Sequence, residues 1–307
     1  MSIPNGYNTV PQARYLQDIA GGVGSIGTTY YVDCNAGLDS NDGLSWESAF
    51  KKLSVALAAS HANIAAGASG WASRNRIFFK GDQTATAEGE NLTKFAQKTD
   101  VIGVGSTDMR SMAQLIGNHV VTNAVSYMGC RFFNISFKGP VAVGGDIITM
   151  TGQHGIEFIG CELDGASTTA ATGGIIATAC SRFKAAGNIA RGAFSDAVIE
   201  IGAGQADDLV IEDNFIQGAN MGIDIAAGAT YAAGKLGLIK DNVLITTLAC
   251  INDASSKNYV IGNRGFTAAA KGVAMAGAVV CNLAMAQDNR FSTADANNVV
   301  YPAQGTI

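Results

Sequence analysis

Residues 208–218, DLVIEDNFIQG, and residues 236–246, LGLIKDNVLIT, share one pattern: apolar alternation, an Asp-Asn turn, then apolar alternation again. Related segments recur on both sides: CRFFNISFKG (130–139), GIEFIGCELDG (155–165), SRFKAAGNIARG (181–192), NYVIGNRGFT (258–267) and LAMAQDNRFST (283–293). Aligning the turn residue places Asn134, Cys161, Asn188, Asn214, Asn242, Asn263 and Asn289 in one column, at intervals of 27, 27, 26, 28, 21 and 26. Self-similarity at such a period is the mark of a stacked repeat architecture.

Between these segments lie further strand-like runs, among them DIITMTG, GGIIATA, DAVIEIGAG and MGIDIAAGAT. One repeat therefore holds about three short strands and three turns without a helix, which is one coil of a parallel β-helix. Coils stack about 4.8 Å apart, so inward side chains pile into columns and small residues suit the narrow interior. Asn at equivalent corners can stack its amides in a ladder along the axis; Cys161 interrupts that ladder. About 200 residues at roughly 26 per coil predict seven or eight coils and a rod on the order of 35 Å long.

Composition agrees. Of 307 residues, 38 are Gly and 4 are Pro, so Gly stands well above its usual share of about 7%, and corners are where Gly is useful. The absence of a three-residue period excludes collagen. Only 15% of residues are charged, too few for a coiled coil or a charged helical bundle. A net charge of −5 leaves no basic footprint for nucleic acid. Six scattered cysteines without a CxxC pair read as buried, reduced thiols. The N-terminal stretch lacks the basic and apolar regions of a signal peptide, and the most apolar run, broken by Lys271, is too short to cross a bilayer.

Three segments emerge: an extended arm over 1–28, a mixed cap over 29–100, and the β-helix over 101–307. Gly22, Gly24 and Gly27 in the arm satisfy GxGxxG, but no strand precedes them and no helix follows, so a dinucleotide site is not expected. In the cap, TTYYVD reads as a strand, DSNDG as an Asx/Gly turn, Ser45 as a helix N-cap, and Phe50, Leu53, Leu57 and Ile64 as one helical stripe. The helix would cover the raw N-terminal end of the solenoid. The last residues, YPAQGTI, show no cap, which points to another subunit at that end.

The run Tyr30 to Ser60, with Asp33, Gly37, Asp39, Asn41, Asp42, Gly43, Trp46, Ala49, Phe50 and Leu53, resembles the N-terminal signature of pectate-lyase-like right-handed β-helix proteins. Cys34 stands where Pro is more usual in that family. The resemblance implies an all-β right-handed parallel β-helix with an N-terminal capping helix. It leaves the chemistry open, because the superfamily includes lyases, hydrolases, epimerases, adhesins and phage virion proteins. It also implies a homotrimer for virion members.

Glu200 and Asp224, in AVIEIGAG and MGIDIAAG, are each flanked by Ile and lie one coil apart. In register they would both point outward about 5 Å apart, the spacing of a retaining glycosidase pair. Thr149 and Asn252 would extend their column. The competing reading is an ordinary polar outer face. A calcium-dependent lyase would instead draw on Asp213, Asp241 and Asp288, with Arg182, Arg191, Arg264 or Arg290 as base, but Asx-turns account equally for these aspartates. His61, His119 and His154 are scattered, and DSNDG lacks the ligand spacing of an EF-hand. No cofactor and no metal site is expected. Trp46 and Trp71 belong to the cap, while Phe133, Phe158, Phe215 and Phe291 read as stacked core.

The resulting expectation is a phage virion structural protein. It would be a trimeric β-helix on capsid or tail, anchored to other virion proteins through residues 1–28 and localised to the virion, with neither nucleic acid nor membrane as partner. The alternatives are a tailspike or lyase-type enzyme that binds or cleaves surface polysaccharide, with Glu200 and Asp224 as its catalytic pair, and a bacterial surface adhesin.

Overall fold

The computed structural model describes residues 27–67, 73–81, 91–105, 113–122, 128–139, 145–165, 171–255, 257–267, 271–275, 286–287 and 289–293. Residues 1–26, Trp71, Asp288, Cys281 and the YPAQGTI end lie outside them. The chain winds as a parallel β-solenoid of about 6 turns, fewer than the seven or eight coils the repeat predicts.

Each coil contributes to three faces. Face A is a ten-stranded parallel sheet that starts with Thr29–Asp33, Asn75–Lys80 and Thr99–Gly103 and runs through Cys130–Phe133, Glu157–Ile159, Lys184–Ala186, Val210–Glu212, Gly237–Lys240 and Asn258–Ile261 to Ala286–Gln287. Faces B and C belong to one bent 13-stranded sheet. Early coils supply separate strands to the two, such as Glu162–Asp164 to B and Ile175–Thr178 to C, whereas Phe215–Ile225 and Val243–Asp253 run across both.

Alternation fixes what points inward, because successive side chains of a strand leave opposite faces. On face C the inward column is His119, Ile148, Ile175, Ile199, Ile223 and Ile251, all buried. On face A it is Ile77, Val101, Phe132, Phe158, Ala185, Ile211, Ile239 and Val260. Phe132 and Phe158 stack with centroids 5.1 Å apart, and Phe137 of face B meets both rings edge-on at 5.7 Å. Ala185 then follows the phenylalanines, which suits an interior too narrow for a ring at every level.

The corner between faces A and B carries the ladder. Asn188, Asn214, Asn242, Asn263 and Asn289 stand in register, and from Asn214 onward each Oδ1 accepts both the backbone N–H and the side-chain amide of the Asn before it, at 2.9–3.0 Å. Each Nδ2 also donates to a carbonyl of the coil behind, for example Asn214 to Ala185. Cys161 occupies the next rung: its N–H donates to Asn188 Oδ1, and its thiol reaches Phe132 O at 3.4 Å.

Asn134 is not a rung, contrary to the sequence alignment. Its register partner is Gly160, and Ile135 faces Cys161. Asn134 belongs to the preceding position, shared by Gly160, Gly187, Asp213, Asp241 and Gly262, where φ runs from 53° to 67°. That left-handed conformation favours Gly, Asn and Asp, so the aspartates before the ladder are there for backbone reasons rather than as Asx-turn acceptors.

The cap departs from expectation at its helix, which begins at Leu53 rather than after Ser45. Ser45 Oγ instead accepts the Ser48 N–H within a turn, and the N-cap is Lys52, whose own N–H is held by Asp39 Oδ1. Phe50 precedes the helix and bridges Val32, while Leu53, Leu57 and Ile64 form its buried stripe. The DSNDG turn is built from its carboxylates, since Asp42 Oδ1 accepts the Leu44 N–H and the Ser48 hydroxyl. The five described cysteines are free thiols, and burial pushes Cys130 and Cys161 up to about 12, which leaves them unreactive.

Candidate functional site

The outward column of face C is Val120, Thr149, Ile176, Glu200, Asp224 and Asn252. Glu200 and Asp224 are direct register partners, so their strands bring them side by side at the parallel-sheet spacing of about 4.8 Å. Flanking Ile199, Ile201, Ile223 and Ile225 are buried and drive the two carboxylates to the outer surface. Asn252 does extend the column, donating to Asp224 Oδ1 at 2.7 Å. Thr149 does not adjoin the pair, because Ile176 stands between; its hydroxyl instead donates to Asp146 Oδ2 at 3.2 Å.

Two further carboxylates gather here that the sequence reading overlooked. Asp196 repels both Glu200 and Asp224, and Asp146 repels Glu200. Among the described residues, no Lys or Arg forms an ion pair with any of these four. Burial raises the Glu200 pKa first, and Asp224, Asp196 and Asp146 raise it further. Burial likewise raises Asp224, against the opposing hydrogen bond from Asn252. Half-buried neighbouring carboxylates of this kind share protons, and one is kept protonated to higher pH than a lone acid. That is the property a general acid needs beside an ionised partner.

The other candidates are dispersed. Asp213 and Asp241 sit in the left-handed corner, with Lys240 paired to Asp241 at 3.1 Å and Lys184 to Glu212 at 2.8 Å. Arg191 lies over the Phe215 ring, 5.5 Å from its centroid, and Arg264 is exposed on face B, so neither stands beside the face C acids. Arg182 is at the corner between faces C and A. His119 is fully buried in the core, and His154 is remote from it in another coil corner. Among the described residues, no group of three or more His, Cys, Asp or Glu is placed to hold a metal ion.

Phe215 was expected in the core but faces outward on face B, half-buried. It begins an apolar stripe. Val243 is its register partner, with Arg264 next in that column; Ile245 pairs with Phe266 two residues along, and Leu248 lies further along the same strand. Val243, Ile245, Leu248 and Phe266 are 38%, 36%, 51% and 42% exposed. In earlier coils the same outer face is polar, with Lys138 and Asp164 paired at 3.3 Å. No family model, curated protein or solved structure matches this chain in comparison.

Proposed function

We propose that the chain is a structural protein of a phage particle: a β-helix displayed as a homotrimer on capsid or tail and held there by residues 1–28. The observation that carries this reading is the apolar stripe of Phe215, Val243, Ile245, Leu248 and Phe266 on the outer side of the C-terminal coils. Exposed apolar side chains gathered on neighbouring strands of a face that is polar in earlier coils mark a contact surface. Three copies around a three-fold axis can bring the same stripe together along that axis and bury it. The resemblance of the cap to the pectate-lyase-like superfamily, which includes virion proteins, supplies the setting. Particles purified from infected cells are expected to carry the chain on their surface, and deletion of residues 1–28 is expected to release it. A chain found only outside particles would overturn the reading.

A second reading, a polysaccharide-cleaving enzyme, is favoured by one observation alone: the juxtaposed Glu200 and Asp224 within an unpaired acidic group. It requires a glycan whose reducing-end release falls by at least about a hundredfold in Glu200→Gln, the scale of a lost general acid. Unchanged release in that variant removes the pair from catalysis.

A further inference from the structure

A cleft of about 370 Å³ opens at the corner between faces C and A, within the size range of small-molecule sites, about 300–1,000 Å³. Two columns of residues climb this corner. Met128, His154, Ser181 and Asp207 follow one another in the first, and Lys98, Gly129, Gly155 and Arg182 in the second, each second-column N–H donating to the first-column carbonyl of the following coil. Lys98, Gly129, Gly155 and Arg182 all take left-handed φ values, from 45° to 78°. Gly129 and Gly155 suit that conformation and leave their levels without side chains. Arg182 reaches back across the Gly155 level, and its guanidinium meets the Met128 sulfur at 3.1 Å.

The acceptors around the cleft are engaged, whereas several donors are not. Asp207 Oδ1 accepts the Ala232 N–H and its Oδ2 accepts from Gln205, while Asp208 pairs with Lys235 at 3.1 Å. These carboxylates therefore belong to the Lys235 end. At the Met128 end, Arg182 has no carboxylate partner among the described residues. His154 Nδ1 accepts the Ser181 N–H at 3.2 Å, which leaves Nε2 as the N–H donor of the neutral ring. Ser181 lines the cleft and is only 8% exposed, yet its buried hydroxyl has no hydrogen-bond partner among the described residues. Buried hydroxyls are ordinarily paired, so an open one in a cleft wall points to an acceptor carried by a ligand.

The surrounding charge has the matching sign. Beside Met128, the Arg74 guanidinium donates to Gly129 O at 2.9 Å, and Arg74 and Arg131 share the carboxylate of Asp100. Lys98, Arg74, Arg131 and Arg182 thus stand against Asp100 and Glu157 at this end, an excess of positive charge.

We propose that the Met128 end of the cleft binds a phosphate group, as inorganic phosphate or as the head of a small phosphomonoester. Arg182 supplies a charge-assisted donor fork, and His154 Nε2 and the Ser181 hydroxyl supply the remaining donors. Donors set on successive rungs diverge, which suits the oxygens of a tetrahedral group better than the two coplanar oxygens of a carboxylate. The site does not draw on the face C carboxylates and stands independently of the structural reading above.

Calorimetric titration of the full chain in phosphate-free buffer with inorganic phosphate, methyl phosphate, acetate and galacturonate tests it. Saturable binding of inorganic phosphate or methyl phosphate is expected, the tighter of the two distinguishing a free ion from an ester, with both carboxylates at least about tenfold weaker. Arg182→Gly, which keeps a residue suited to the left-handed position, is expected to lose at least about tenfold in phosphate affinity, and Ser181→Ala at least about threefold. Asp208→Asn, which releases Lys235, is expected to bind as tightly as the parent or more tightly. Arg182→Asn gives the same readout if the glycine variant fails to fold, because Asn also tolerates the left-handed region. The proposal is overturned if neither phosphate ligand saturates the chain, if acetate or galacturonate binds as tightly, if the Arg182 and Ser181 variants retain parental affinity, or if Asp208→Asn weakens binding.

Discussion

Asn214 engages both of its amide atoms within the ladder. Its Oδ1 takes two donors from Asn188, and its Nδ2 serves Ala185 O and Asn242 Oδ1. An isosteric Asn214→Leu change would strand the Asn188 donors and the Ala185 carbonyl in a dry interior, at about 1–3 kcal/mol for each orphaned group. Denaturant unfolding of that variant is therefore expected to show a loss of at least about 3 kcal/mol. The reverse change is available at Cys161, whose thiol is a weak substitute for an amide at Phe132 O; Cys161→Asn is expected to add about 1 kcal/mol in the same assay. The ladder was legible in the sequence as a column of Asn, but its first member was displaced by one residue. The corner needs a left-handed residue immediately before each rung, and Asn can fill either role. The pairs Gly187-Asn188, Asp213-Asn214, Asp241-Asn242 and Gly262-Asn263 show both positions at once, and Asn134-Ile135 fits them only with Asn134 as the left-handed member.

At the scale of strands and helices, the inward column of face C begins with His119, fully buried, its Nδ1 accepting the Leu92 N–H at 3.0 Å. Burial pushes this histidine down to about 3. An unfolded histidine takes its proton near pH 6.5, so folding is opposed increasingly as pH falls from 6.5 towards 3. The contribution is complete above 6.5 and costs roughly 3 kcal/mol by pH 4. Thermal unfolding is expected to show His119→Gln, which can still accept from Leu92, losing less stability than the parent between pH 7 and 4. The face C carboxylates act in the opposite sense. Their pKa values are raised, so the folded chain binds more protons than the unfolded one, and stability falls as pH rises through the raised values. Glu200→Gln is accordingly expected to gain about 0.2–1 kcal/mol at pH 7, the scale of relieving like charges on adjacent strands, with the gain vanishing below pH 4. The Glu200–Asp224 pairing was legible because identical Ile flanks fix the register. Asp146 and Asp196 were not, since Asp146 precedes its strand and Asp196 lies on Glu200's own strand beside a register shift that breaks the alternation.

For the whole molecule, the solenoid follows from a period that any sequence of such coils must repeat, and the capping helix follows from its buried stripe of Leu53, Leu57 and Ile64. The cleft at the corner between faces C and A, lined in part by Met128, His154, Arg182 and Asp208, could not be read in the same way, because its residues are scattered in the sequence until stacking unites them. The apolar stripe was hidden for a related reason: Phe215, Val243, Ile245 and Phe266 match the alternation of a core, and only the register shows that they lie on its outer side. Assembly through that stripe is the central claim about the molecule, and the mass of the purified chain by light scattering during size exclusion tests it most directly. Three chains of 31.5 kDa are expected, about 95 kDa, reverting to a single chain when Ile245 and Phe266 are both changed to Asp. A wild-type mass of one chain, or a trimer indifferent to both substitutions, would contradict it.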